Sequence, residues 1–113
     1  MTPLPLLVEG RPAGVRVGLA DRWHQRARGL LGVRRLDDPA GLWITPCNSV
    51  HMLGMRIALD VAFVDRSGVI LKLVPHLAPW RFAACTKAHA TVELRVGLIA
   101  QFGLRAGQRL TLG

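Results

Sequence analysis

From Ile57 to Val64 the chain alternates with period two: Ile57, Leu59, Val61 and Phe63 fall on one face, Ala58, Asp60, Ala62 and Val64 on the other. Asp60 therefore sits among small apolar neighbours, where an unpartnered charge is costly. Asp65-Arg66-Ser67-Gly68 follows as a turn, and residues 69–74 form a second strong β run. An antiparallel hairpin of 57–64 with 69–74 is the local element most firmly implied. The surrounding stretch from Cys47 to Asp65 adds one of the two cysteines, His51, Met52 and Met55, and the rest of the chain is organised around it.

At 113 residues the chain supports one domain, 1–113, with a single core. Half its residues are apolar, yet no run approaches the ~18 needed to cross a bilayer, so a globular domain without a transmembrane segment is expected. The start, MTPLPLLVEGRPAG, lacks a basic n-region and a long apolar h-region. A cytoplasmic location is the corresponding expectation, with Cys47 and Cys85 as reduced thiols rather than a disulfide. The net charge of +8 comes largely from arginine, which favours planar anion contacts but also follows from arginine usage in a GC-rich genome. Three Phe, three Trp and no Tyr make a poor stacking platform for nucleic acid.

Leu4 to Glu9 and Val15 to Leu19 read as a hairpin around Gly10, Pro12 and Gly14. Asp21 offers an N-cap for a helix of about three turns, in which Trp23, Ala27, Leu30 and Leu31 share a face and Gly32 is the stop. Leu42 to Thr45 is a brief strand, Pro75 and Pro79 bracket a loop with His76 and Trp80, and Arg81 to Cys85 is an edge strand. His89 to Val96 alternates again, with Ala90, Val92, Leu94 and Val96 opposite Thr91, Glu93 and Arg95. Gly97 to Phe102 makes one helical turn, and Arg109 to Leu112 closes the fold. The pattern implies a mainly β class at the α+β border. Its form would be a compact β-sandwich or jelly-roll-like barrel of short antiparallel strands, with one amphipathic helix packed across an end.

Several motifs in sequence order carry a family likeness. They are Arg28-Gly29-Leu30 with Gly32, Val50-His51-Met52 with Gly54-Met55-Arg56, and Leu59-Asp60-Val61-Ala62-Phe63-Val64-Asp65 with Gly68, followed by Val92-Glu93-Leu94 with Gly97 and Gly103-Leu104 with Gly107. On these residues the chain resembles the bacterial and archaeal domain of unknown function family 192, in the subgroup with a His four residues before the Met. The resemblance covers about residues 15 to 112. It implies a compact β-rich, jelly-roll-like fold and carries no activity. An acid common in the last motif is Gln108 here.

Arg28, His51, Met55, Asp60 and Glu93 are the polar or soft residues inside those motifs. Brought together, they would line a partly buried pocket for a small polar or anionic ligand or a partner's side chain. The structural alternative is that Arg28 pairs with Asp60 or Glu93 and locks the helix onto the sheet. A second functional reading takes Arg16, Arg22, Arg26, Arg34 and Arg35 as a basic surface that docks an acidic protein, a nucleic acid or a membrane surface. Sequence-specific nucleic-acid binding is not expected, because no reading helix accompanies the charge. A third reading makes Asp60, Glu93 and His51 acid and base groups of a small enzyme, or Cys47 and His51 a thiol and base pair. No nucleophile elbow, phosphate loop or dinucleotide fingerprint supports catalysis, so a non-catalytic binding or accessory domain without cofactor is favoured. Cys47, His51, Cys85 and His89 would make a zinc donor set. On extended strands the i and i+4 members lie ~13 Å apart, and no metal site is expected.

Overall fold

The computed structural model describes residues 2–113. The central hairpin forms as its alternation demands: β5 (Leu59–Val64) pairs antiparallel with β6 (Ile70–Leu77). Asp65 sets the turn by accepting hydrogen bonds from the Ser67 and Val69 amides at 2.9 and 3.0 Å and from the Ser67 hydroxyl at 2.9 Å. Every residue of β5 is buried, so it is a central strand with both faces covered. β6 carries Pro75 within an irregular register, and His76 takes φ 51° there, consistent with proline being confined to bulges and edges.

β8 (Ala90–Arg95) lies on the other side of β5, also antiparallel. The chain before them supplies β1 (Leu4–Val8), β2 (Arg11–Ala20), α1 (Trp23–Arg28), β3 (Gly41–Ile44) and β4 (Ser49–His51). After β6 come β7 (Phe82–Ala84), then β8, α2 (Leu98–Gln101) and β9 (Leu110–Leu112). Seven strands make one curled sheet in the order β6-β5-β8-β3-β2-β1-β9, and β4 with β7 forms a separate two-stranded ribbon. The curl brings its two edges together through a bridge between Val69 and Arg109, with the Leu110 amide donating to the Gly68 carbonyl at 2.8 Å. A Cβ at position 68 would collide with the Leu110 carbonyl, so this closure requires glycine. The protein is mainly β, with two short helices.

Several details depart from the sequence reading, among them the continuation of β6 through Pro75 and His76 to Leu77, where a loop is expected. The first hairpin turns on Glu9 and Gly10, both at positive φ, the geometry of a tight two-residue loop; β2 accordingly starts at Arg11 rather than Val15. β2 and β3 pair parallel, not antiparallel, because the excursion through α1 and residues 29–40 carries the chain back to the same end. Helix α1 has six residues and no buried side chain. Gly29, at φ 51° and ψ −131°, stops it three residues before Gly32, and Arg22 rather than Asp21 is its N-cap. Of the expected apolar face only Leu30 is buried, while Trp23 is 74% and Leu31 48% exposed. So short a helix covers the sheet with its C-terminal end and the turns that follow, not with a continuous stripe.

Two apolar clusters fill the molecule, one on each face of the β5-β8 pair. Leu59, Val61 and Phe63 pack with Leu42, Ile44, Val50, Met52, Met55 and Leu30 on the face covered by the ribbon and residues 29–36. Ala62, Val64, Val92 and Leu94 pack with Leu6, Val17, Leu98 and Leu110 on the inside of the curl.

Candidate functional site

β8 decides where the site lies. Its register sets Glu93 between Leu42 of β3 and Val61 of β5, in the middle of the sheet and on the face covered by the ribbon. Glu93 is 4% exposed, and its Oε1 is a buried oxygen with no hydrogen-bond partner. Native structures rarely leave such an atom unpaired, so each case calls for an explanation. Burial disfavours the charged form and pushes the Glu93 carboxyl up to about 7 from an ordinary 4.5. Near neutral pH the group can therefore both give and take a proton.

Above Glu93 lies a cavity of about 110 Å³. Leu30, Ile44, Val50 and Met55 form apolar walls; Arg26, Arg28, Leu31, Ser49, His51 and Leu53 form the upper lining, and Cys47 completes it. Gly29 borders the acid: a Cβ there would make ordinary contacts, 3.8 Å from Glu93 Oε1 and 3.9 Å from the Arg26 carbonyl oxygen, so its positive φ rather than lack of space favours glycine.

Four of the five residues expected to share a pocket do line this cavity: Arg28, His51, Met55 and Glu93. Asp60 does not. It pairs with Leu94, not Glu93, so it faces the inside of the curl, where both of its oxygens are occupied. Oδ1 accepts the His76 amide at 2.8 Å, and Oδ2 accepts the Gly97 and Ile99 amides at 3.0 and 2.9 Å. Two of those amides belong to the N-terminal end of α2, which has no side-chain cap of its own. Asp60 satisfies its otherwise orphan donors from a neighbouring strand. This is a structural duty, and it removes Asp60 from both the pocket set and the acid-base set.

The internal pairing considered for Arg28 is absent: among the described residues the ion pairs are Arg16 with Asp38 and Arg35 with Asp37. The basic surface is thereby reduced. Arg16 and Arg35 each have a carboxylate, Arg26 donates to the Asp21 carbonyl at 2.8 Å, and Arg22 and Arg34 are exposed.

Cys47 and Ser49 are cavity residues missing from the sequence-derived ligand set. Ser49, Val50 and His51 belong to β4, while Cys47 precedes it, and only pairing with the distant β7 brings this segment over Glu93. The Cys47 thiol donates to the Ser49 carbonyl at 3.1 Å. Both cysteines are free, and among the described residues no three His, Cys, Asp or Glu groups converge as metal ligands. A wider hollow of about 490 Å³ lies over the β5-β6 turn. It is an open surface depression, and its acid, Asp65, already holds Ser67 and Val69.

Among the described residues no helix is long and apolar enough to cross a membrane. No curated protein matches the chain. Among solved structures, a protein of unknown function from Novosphingobium aromaticivorans DSM 12444 superposes with a TM-score of 0.82 at 24% identity, covering 96% of this chain and 84% of that one. A candidate transcription regulator from Sinorhizobium meliloti 1021 gives a TM-score of 0.86 at 21% identity, covering 98% and 94%. These likenesses carry the fold and no activity. The model of DUF192, described as "Uncharacterized ACR", matches residues 6–112, so the chain belongs to domain of unknown function family 192.

Proposed function

We propose that this protein is a small binding or accessory domain whose cavity over Glu93 takes a small polar ligand or a partner's side chain. The observation that carries the reading is the buried, unpartnered Glu93 Oε1 beneath an open apolar-walled space. A fold that needed this acid only for stability would satisfy it, as Asp60 is satisfied by three amides. An unpaired buried acceptor costs ~1–3 kcal/mol, and a visiting donor would recover that cost upon binding. Arg28 in the lining supplies positive charge, and His51 a hydrogen-bonding ring, for an anionic portion of the ligand.

Thermal-shift screening against amino acids, amines, hydroxy acids and sugars tests the reading, because a ligand that binds only the folded state raises its apparent stability. Ser49→Trp, an exposed position in the lining, is the blocking control. A ligand that stabilises the parent protein and loses its effect with Ser49→Trp supports the reading. Ligand effects that survive both Ser49→Trp and Glu93→Gln would place binding elsewhere and overturn it. The basic-surface reading has weaker support, because Arg16, Arg26 and Arg35 are already engaged within the chain.

A further inference from the structure

The volume, walls and charges of the cavity over Glu93 together restrict what can enter. At about 110 Å³ it is smaller than the ~300 Å³ and upward of pockets that bury a whole drug-sized ligand, so it takes a short molecule or the end of a longer one. Leu30, Ile44, Val50 and Met55 give it apolar walls, which suit a stem of methylene groups.

At the floor Glu93 is 4% exposed, and among the described residues no group bonds to its Oε1. A carboxylate buried without a counter-charge is costly enough that the group takes up a proton instead. The rise of the Glu93 carboxyl to about 7 has the same cause, its burial. In the neutral form the side chain offers an O–H donor and carries no charge.

The charge in the rest of the lining is positive. Glu93 is the one acid among the lining residues, whereas Arg26 and Arg28 both border the space. The Arg26 guanidinium already donates to the Asp21 carbonyl; Arg28 has no carboxylate partner among the described residues. A cation finds its counter-charge only if the buried acid ionises, and it then lies beside two guanidinium-bearing residues. An anion meets a neutral acid and favourable charge. Where that anion is a carboxylate, one proton is held between the two carboxyl groups, since two such acids in contact cannot both ionise. Inorganic phosphate has no stem to lay along the apolar walls.

We infer that the Glu93 cavity is a site for a carboxylate on a short aliphatic stem, held by one proton shared with Glu93 and by the charge of Arg28. The inference rests on the binding reading above and deepens it. A free aliphatic acid and the glutamate side chain of a protein present the same chemistry. β3 and β5 flank Glu93 with Leu42 and Val61, so the other titratable groups around it are Arg26 and Arg28 of α1 and Cys47 and His51 of the β4 segment. Arginine stays charged throughout. A shared proton makes affinity fall as pH rises through the titration of Glu93. Glu93→Gln keeps Cys47 and His51 and donates to a carboxylate from its amide at every pH, which isolates the contribution of the acid.

The test is NMR titration of the purified protein with butyrate, butyramide and butylamine, and with a terminally blocked Ala-Glu-Ala peptide beside its Ala-Gln-Ala counterpart. Butyrate that perturbs the amides around the cavity, binds roughly tenfold or more tightly than butyramide or butylamine and loses its effect in Ser49→Trp supports the inference. Butyrate stays ionised above about pH 6. Its affinity for the parent protein should therefore fall roughly tenfold or more between about pH 6.5 and about pH 8.5, with no such fall in Glu93→Gln. That variant keeps the shape of the side chain and removes an unpaired buried acid, so it folds; an unchanged near-ultraviolet spectrum checks that. The free and protein sources separate by which of butyrate and the glutamate peptide binds more tightly. Butyramide binding as tightly as butyrate would overturn the carboxylate assignment while leaving a ligand pocket. An affinity that stays constant over this pH range, or a fall that persists in Glu93→Gln, would overturn the shared proton. No perturbation of the cavity by butyrate or the glutamate peptide would overturn the inference as a whole, and the broader screen with its Ser49→Trp control would then decide the binding reading on its own.

Discussion

Replacing Glu93 by Gln should change the dependence of stability on pH in a calculable way. In the unfolded chain the carboxyl titrates near 4.5, and in the folded protein burial raises it to about 7. An acid with a raised folded value holds its proton more tightly in the native state. Between the two values the folded protein therefore binds more protons than the unfolded chain, and stability falls as pH rises. Below about pH 4 both states are protonated and the contribution vanishes. The gap between 4.5 and about 7, at ~1.4 kcal/mol for each tenfold change in proton affinity, puts the cost of ionising Glu93 in the native state at ~3 kcal/mol. Glutamine has no such cost. Urea unfolding of both proteins should give a difference under ~1 kcal/mol at about pH 4, rising to ~3 kcal/mol in favour of Glu93→Gln by about pH 8.5. Taking the difference cancels the carboxylates the two proteins share, including Asp38 and Asp65, whose values are held below the ordinary range by Arg16 and by Ser67 with Val69. A difference that stays flat across this range would refute the reasoning, because it would mean that the carboxyl is as well solvated folded as unfolded.

Asp60→Ala strips the acceptor from three amides and should destabilise by roughly 3–5 kcal/mol in urea unfolding without altering ligand affinity; a ligand effect at constant stability would contradict its structural role. Gly68→Ala drives a Cβ into the Leu110 carbonyl at positive φ and should cost ~3 kcal/mol or more, read as a lower thermal midpoint. Cys47→Ala with Cys85→Ala should still fold cooperatively at a cost of ~1–2 kcal/mol, and elemental analysis of the parent protein should find no stoichiometric zinc or copper. Retention on heparin should fall steeply with salt and drop further in Arg22→Ala with Arg34→Ala; identical retention of parent and variant would exclude this part of the surface from polyanion contact.

The β5-β6 hairpin and β8 were legible because alternation specifies which side chains share a face of a strand, and the Asp65 to Gly68 turn supplies its own hydrogen bonds. What alternation cannot specify is how one strand is registered against the next. Asp60 stood out as an acid in an apolar strand and Glu93 as a polar residue inside a motif, but only the pairing of Asp60 with Leu94 and of Val61 with Glu93 sends the two carboxyls to opposite faces. Helix α1 failed for a different reason. Gly32 is the expected stop, but Gly29 already leaves the helical region at φ 51° and ψ −131°, a backbone state that residue type alone does not assign to one glycine rather than the other. Cys47 and Ser49 reach the cavity through the β4-β7 ribbon, a pairing between segments more than thirty residues apart that local pattern does not encode. The likeness to domain of unknown function family 192, read from motif order, holds over residues 6–112.

The central claim is that Glu93 is an unpaired acid at the floor of a binding cavity. Carbon NMR of the Glu93 side-chain carboxyl as a function of pH, in the protein without ligand, measures this directly. The account requires a titration midpoint of about 7. A midpoint near the ordinary 4.5 would mean that water or a protein donor already satisfies the group, and would contradict it.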